Sequence, residues 1–157
     1  MNDRYLFKAK KKNWQELPKD EQWVQGYLFD DGFKNGRVFV GSFVIEKYNG
    51  TACDDWAVTG IDFYEIDPNT ICQCTGLKDK NGKLIWENDI ASYSDLITRD
   101  KKTICIEWNK IQASFVRKYR SPMGLQYLYL DEYIASRMEV IGNTFDNPEL
   151  LESEKKQ

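Results

Sequence analysis

The chain has 157 residues, and 22 Lys and Arg against 25 Asp and Glu give it a net charge of −3. With 41% hydrophobic and 30% charged residues it has the balance of a soluble globular protein, which excludes collagen, long coiled coil and wholesale disorder. Histidine is absent, so Ser-His-Asp and Cys-His sites and imidazole metal centres are excluded together.

The first residues carry Arg4, Lys8, Lys10, Lys11 and Lys12 against a single acid, Asp3. Two readings fit: a basic arm for phosphate, or a first strand whose lysines guard a sheet edge while Tyr5, Leu6 and Phe7 supply its apolar side. The second is preferred. No apolar leader follows Met1, so a cytoplasmic location is expected. No apolar run approaches the roughly 20 residues of a membrane helix.

Residues 16–21 suggest a single helical turn, and residues 23–29 a strand. Asp30-Asp31-Gly32 and Lys34-Asn35-Gly36 have turn chemistry. Residues 37–47 predict a long strand with a bulge at Gly41. Asn49-Gly50 signals a hairpin, and residues 56–66 continue the β pattern up to Asp67-Pro68. Residues 71–75 predict another strand. Asn81-Gly82 then predicts a type I′ hairpin joining residues 77–80 to residues 83–86. Further short strands are expected at residues 90–93, 104–108, 113–119, 125–130 and 138–141, with a helical turn at residues 131–135. No segment keeps a 3.6-residue apolar period for a dozen positions. Aromatic residues at 14% lean the same way. The fold class expected is mainly β, as a sandwich or a barrel.

The stretch Asp67-Pro68-Asn69-Thr70-Ile71-Cys72-Gln73-Cys74-Thr75-Gly76-Leu77-Lys78-Asp79-Lys80-Asn81-Gly82-Lys83-Leu84-Ile85-Trp86-Glu87-Asn88-Asp89-Ile90 resembles the core motif of the YopX family of phage and prophage proteins. A second similar patch is Glu139-Val140-Ile141-Gly142-Asn143 with Asn147-Pro148-Glu149-Leu150-Leu151, and residues 23–28 look like the family's first strand. The resemblance spans roughly residues 4–151. It implies a β-rich α+β architecture, with amino-terminal strands and hairpins packed with an SH3-like barrel in the carboxy-terminal half, and no activity to carry over. Family members usually place Gly where this chain has Asn88. That implies a backbone position at positive φ, which Asn tolerates best among the other residues. Asp89 is then expected to accept hydrogen bonds from turn amides. Structural roles are expected for Thr75, Gly76, Leu77, Asp79, Asn81, Gly82, Asn88, Asp89, Gly142 and Asn143. The expected organisation is residues 1–75, residues 76–151 and a frayed tail at 152–157, or one continuous domain over 1–151.

Cys53, Cys72, Cys74 and Cys105 are expected to be buried, reduced thiols. A zinc site built from all four is disfavoured, because structural zinc sites mostly pair cysteines with two to four residues between them, whereas Cys72 and Cys74 have one, and Cys53 and Cys105 have no neighbouring partner. Neither a Walker loop nor a dinucleotide-binding glycine motif is present. The acids Asp54, Asp55, Asp62, Glu65 and Asp67 leave a metal-dependent phosphodiesterase open in principle, with solvated surface charge preferred. No cofactor or metal is expected. One constellation points to binding: Trp108, Lys110, Arg117, Lys118, Tyr119 and Arg120, with no acid among residues 110–120. On one face these would suit a phosphate backbone and stacked bases, although the net charge works against it. The leading expectation is a non-enzymatic binding module for a protein partner, including copies of itself, with nucleic-acid binding as the alternative.

Overall fold

A computed structural model describes residues 3–32, 36–47, 56–95, 99–121 and 123–151. The expected turn at Lys34-Asn35, the Asn49-Gly50 hairpin, Cys53, Asp54, Asp55 and the tail at 152–157 lie outside these. The chain is mainly antiparallel β and divides into two units, one of residues 5–72 and one of residues 1–4 with 73–157.

The first unit holds β1 (Phe7–Lys10), β2 (Trp23–Asp30), β3 (Val38–Lys47) and β4 (Trp56–Glu65), in the order β4-β3-β2-β1. Short 3₁₀ turns at Trp14–Glu16 and Lys19–Glu21 fill the helical-turn region. Alternation sorts the side chains. Ala9, Val40 and Ile66 are buried together, with Phe7, Val24, Val38 and Ile71 packed around them.

The basic amino terminus is not a guarded edge. On the side of β1 away from β2, the Lys10 N–H donates to Thr70 Oγ1 at 2.9 Å and the Asp67 N–H donates to the Lys10 carbonyl. Lys10 itself is only 1% exposed. Its ammonium donates to Gln22 Oε1 at 3.0 Å and lies 3.8 Å from the centre of the Trp14 ring, so a polar acceptor and a π face replace its water. Lys8 faces the Trp23 ring, Lys11 the Tyr64 ring, and Lys12 pairs with Glu65 at 2.7 Å.

Gly41 is not a bulge. It stays in register opposite Tyr27 and Phe63, and the shift between β3 and β4 falls at Val44 and Ile45. Gly41 is glycine for a different reason: an added Cβ would run into the Asp62 carbonyl and, at 2.7 Å, into the Phe63 ring.

The second unit opens with β5 (Cys72–Lys78), which starts at the junction, and β6 (Leu84–Trp86). It continues with β7 (Asp89–Ser94), β8 (Lys101–Asn109), β9 (Ser114–Ser121), β10 (Gly124–Tyr129), the one-turn helix α1 (Glu132–Ala135) and β11 (Glu139–Asn143). The last five strands form a sheet in the order β10-β9-β8-β7-β11. This sheet is open, with β10 and β11 as its two edges, so the expected barrel is not closed. One face carries the core: Ala91, Tyr93, Ile104, Ile106 and Val140, against Ile85, Ile134, Ala135 and Met138. Asp131 caps α1 by accepting from the Ile134 N–H at 2.8 Å.

The β5–β6 hairpin exists, but its turn is not type I′. Gly82 has φ 80°, whereas Asn81 is not among the residues at positive φ. The Gly82 N–H donates to the Asp79 carbonyl and the Asp79 N–H to the Lys83 carbonyl. This is the three-residue loop with glycine in the left-handed position. The Asp79 carboxylate selects it: Oδ1 accepts from the Asn81 and Lys83 N–H groups at 2.8 and 2.9 Å.

Candidate interaction site

The six residues singled out for binding do not form one patch. Opposed residues in an antiparallel pair share a face. Lys118 stands opposite Cys105 and Tyr127, and Arg120 opposite Leu125; Arg117 stands opposite Ile106 and Leu128, and Phe115 opposite Trp108. Lys118 and Arg120 therefore occupy one face of the sheet, and Trp108, Arg117 and Tyr119 the other. Lys110 lies in the exposed turn after β8.

Most of these groups have local work. The Lys118 ammonium is 2.6 Å from Glu107 Oε1, and that hydrogen bond holds its pKa above the usual lysine value. Arg117 Nε donates to the Tyr129 carbonyl at 3.1 Å, with its guanidinium over Tyr93. Trp108 meets Phe115 edge to face at 5.1 Å. Tyr119 packs against the core and faces Lys102. Arg120 has no ion pair or hydrogen-bond partner among the described residues.

The acids do not gather either. Glu65 is paired with Lys12, and Asp67 accepts from the Asn69 N–H at 3.0 Å to cap the 3₁₀ turn Pro68–Thr70. Among the described residues no three Cys, Asp or Glu come together in a way that would hold a metal ion. Cys72, Cys74 and Cys105 are buried and form no disulfide among the described residues.

A different surface stands out in the first unit. The register puts Tyr27, Phe29, Phe39, Gly41, Phe43, Ile61, Phe63 and Glu65 on one face of β2–β3–β4. This is the face opposite Val38 and Val40. Phe43 is 55% exposed, Ile61 50% and Phe63 48%, and Phe29 is exposed beside them. Phe63 stacks edge to face with Phe29 at 5.0 Å and with Phe39 at 6.5 Å, over the bare backbone of Gly41. The one charge in this set, Glu65, is neutralised by Lys12. A contiguous apolar surface of this kind marks an interaction site more often than a random assortment of exposed side chains does. It was discoverable from sequence: residues 38–45 are apolar at both parities apart from Gly41 and Ser42, where a strand with one wet face alternates.

The hairpin and β11 make a third local arrangement. Asp79 is buried, and while Oδ1 holds the turn, Oδ2 accepts from the Val140 N–H at 3.0 Å. The Lys80 N–H donates to the Met138 carbonyl at 2.9 Å. Two stretches about sixty residues apart are thereby joined through one carboxylate.

Both stretches fall within a match to the family model described as YopX protein, over residues 36–152. The chain belongs to the YopX family. The match begins after residues 23–28, so the amino-terminal resemblance lies outside it. The chain is also similar to the crystal structure of protein EF1440 from Enterococcus faecalis, at 21% identity over 92% of this chain and 96% of that one, with a TM-score of 0.45. No curated protein matches it.

The YopX motif residues have evident local roles. Thr75 Oγ1 donates to the Ile85 carbonyl at 2.8 Å and accepts from the Leu77 N–H, while Gly76 takes φ 79° where the β5–β6 register shifts. Leu77 packs on the core. Asn88 has φ 64°, donates its N–H to the Ile106 carbonyl and accepts from the Thr144 N–H. Asp89 is buried, and its Oδ2 accepts from the Trp86 N–H at 2.9 Å. Asn143 Oδ1 accepts from the Phe145 and Asp146 N–H groups, and a Cβ on Gly142 would meet Asn147 Oδ1 at 2.6 Å. A valine at position 88 has no comfortable left-handed state. Asn88→Val is expected to destabilise by about 1–2 kcal/mol relative to Asn88→Gly in denaturant titrations.

Proposed function

We propose that this YopX-family protein is a non-enzymatic recognition module, phage- or prophage-encoded, that docks protein through the apolar face of β2–β3–β4. Its partner in this reading is a second copy of the chain. The observation that carries the proposal is the exposed cluster of Phe29, Phe43, Ile61 and Phe63. Aromatic side chains supply large contact area at low entropic cost, which is why they dominate the centres of protein interfaces. Among the described residues the cluster has no unpaired charge, so two copies meet there without like-charge repulsion despite a net charge of −3 on each. A face brought against itself about a two-fold axis is the commonest form of homodimer. The same neutrality makes it a poor surface for phosphates. We also read the carboxy-terminal sheet as an opened SH3-like layout.

The test is light scattering over a concentration series. The wild type is expected to move from monomer to dimer mass as concentration rises. Phe43→Lys combined with Ile61→Lys, both at exposed positions, is expected to remain monomeric with an unchanged melting temperature. A wild type that stays monomeric throughout, or a double variant that still dimerises, overturns the proposal.

A further inference from the structure

The two edges of the carboxy-terminal sheet are built differently. β11 is protected. Its Val140 N–H is taken by Asp79, its register shifts between Val140 and Gly142, and Glu139 pairs with Lys80 at 2.7 Å. Bulges, charges and covering segments are the usual devices that stop an edge from pairing with other strands. β10 has neither a bulge nor a covering segment among the described residues, and a side chain, Arg117 Nε, takes only its last carbonyl, that of Tyr129. Its sequence, Gly-Leu-Gln-Tyr-Leu-Tyr, contains neither a charge nor a proline, and its pairing with β9 runs without a register shift. Leu125, Tyr127, Leu128 and Tyr129 are all exposed. Among the described residues β10 has one neighbouring strand.

The strand and turn that precede β10 are basic, while Asp131, which caps α1, and Glu132 follow it. Residues 110–130 contain Lys110, Arg117, Lys118 and Arg120 and no Asp or Glu. Lys118 is neutralised by Glu107, but Arg120, opposite Leu125, has no partner among the described residues. A cavity of about 350 Å³ on the same face has Cys105, Glu107, Lys118, Arg120 and Leu125 in its lining, with Glu107 paired to Lys118 so that Arg120 is its uncompensated charge. It offers an apolar wall, a guanidinium and enough room for a side chain.

We infer that the outer edge of β10 accepts an extended segment of a partner protein in which apolar and acidic residues alternate. The segment adds to the sheet as a sixth strand and extends an acidic side chain towards Arg120. Main-chain hydrogen bonds to the edge supply register-independent attraction, and the side-chain alternation supplies the selectivity. The inference concerns the second unit and stands apart from the aromatic face of the first.

A displayed library of random short peptides, selected on the full-length protein, tests it. Selected peptides are expected to be enriched in Asp or Glu alternating with apolar residues. The tightest, remade synthetically, is expected to weaken about tenfold or more with Arg120→Glu and to slow hydrogen exchange of β10 amides. Tyr127→Lys, an exposed edge guard, is expected to weaken it as well, with the melting temperature of each variant serving as the control for folding. Failure to select binders, a preference for basic peptides, or binding indifferent to both substitutions overturns the inference. Displacement of the peptide by a single-stranded oligonucleotide that binds more tightly overturns it in favour of nucleic acid.

Discussion

Asp79→Ala is expected to lower unfolding free energy by about 4 kcal/mol. The carboxylate accepts three backbone N–H groups, from Asn81, Lys83 and Val140. Alanine abandons all three at a buried site, and each orphaned donor costs about 1–3 kcal/mol, partly recovered where water enters. Asp79→Asn is the more informative change. An amide has one acceptor oxygen, so either the turn or Val140 keeps its bond and the other faces an NH₂ group. The loss is expected to be about half that of alanine, with faster exchange of the Val140 amide. The acid limb of stability supplies a second reading. Burial alone would raise the Asp79 pKa, but the N–H groups of Val140, Lys83 and Asn81, with the Lys83 charge, hold it below the usual 3.8. A carboxyl depressed on folding stabilises above its unfolded pKa and loses that contribution as pH falls through the folded value. The wild type therefore loses stability below about pH 4, and Asp79→Asn loses less over the same interval.

Gly41→Ala is expected to cost about 3 kcal/mol, at the upper end for a single added methyl. The obstruction is the backbone of Asp62 on the neighbouring strand, which cannot move aside as a side-chain tip can. Gly26 makes the same close approach one strand over, to the Gly41 carbonyl. Two adjacent positions without Cβ atoms let β2, β3 and β4 lie close, and let the Phe63 ring rest over Gly41. Gly32→Ala is the control, since nothing lies within 4 Å of its Cβ position and only the φ of 73° is strained. Its cost is expected to be about 1 kcal/mol. Hydrogen exchange along β2–β4 separates the two, with Gly41→Ala accelerating it across the sheet.

Local chemistry in the sequence was a good guide where it depends on a few neighbouring residues. Asn88 reaches its left-handed φ because the chain turns there between β6 and β7, and Asp67-Pro68 caps a short turn because Pro68 removes one N–H and Asp67 satisfies another. The Asn-Gly signal at residues 81–82 located a hairpin but not its type, because Asp79 draws two loop amides inward and one more from β11. That third bond spans sixty-one residues and has no local signature. Lys10 reads as a solvated edge lysine in one dimension; only the fold brings Gln22 and Trp14 around it. The basic and aromatic residues 108–120 looked like a patch because they are close in sequence, yet a strand sends alternate side chains to opposite faces. The aromatic face needed the register between strands, which puts Phe29, Phe43, Ile61 and Phe63 together from three separate segments.

The claim that this apolar face is where the protein meets a second copy is tested most directly by placing a photo-cross-linking phenylalanine analogue at position 43. Irradiation is expected to give a covalent dimer whose cross-links map to Phe29, Ile61 or Phe63 of the other copy. Cross-links that stay within one chain, or that map to the carboxy-terminal sheet, would contradict it.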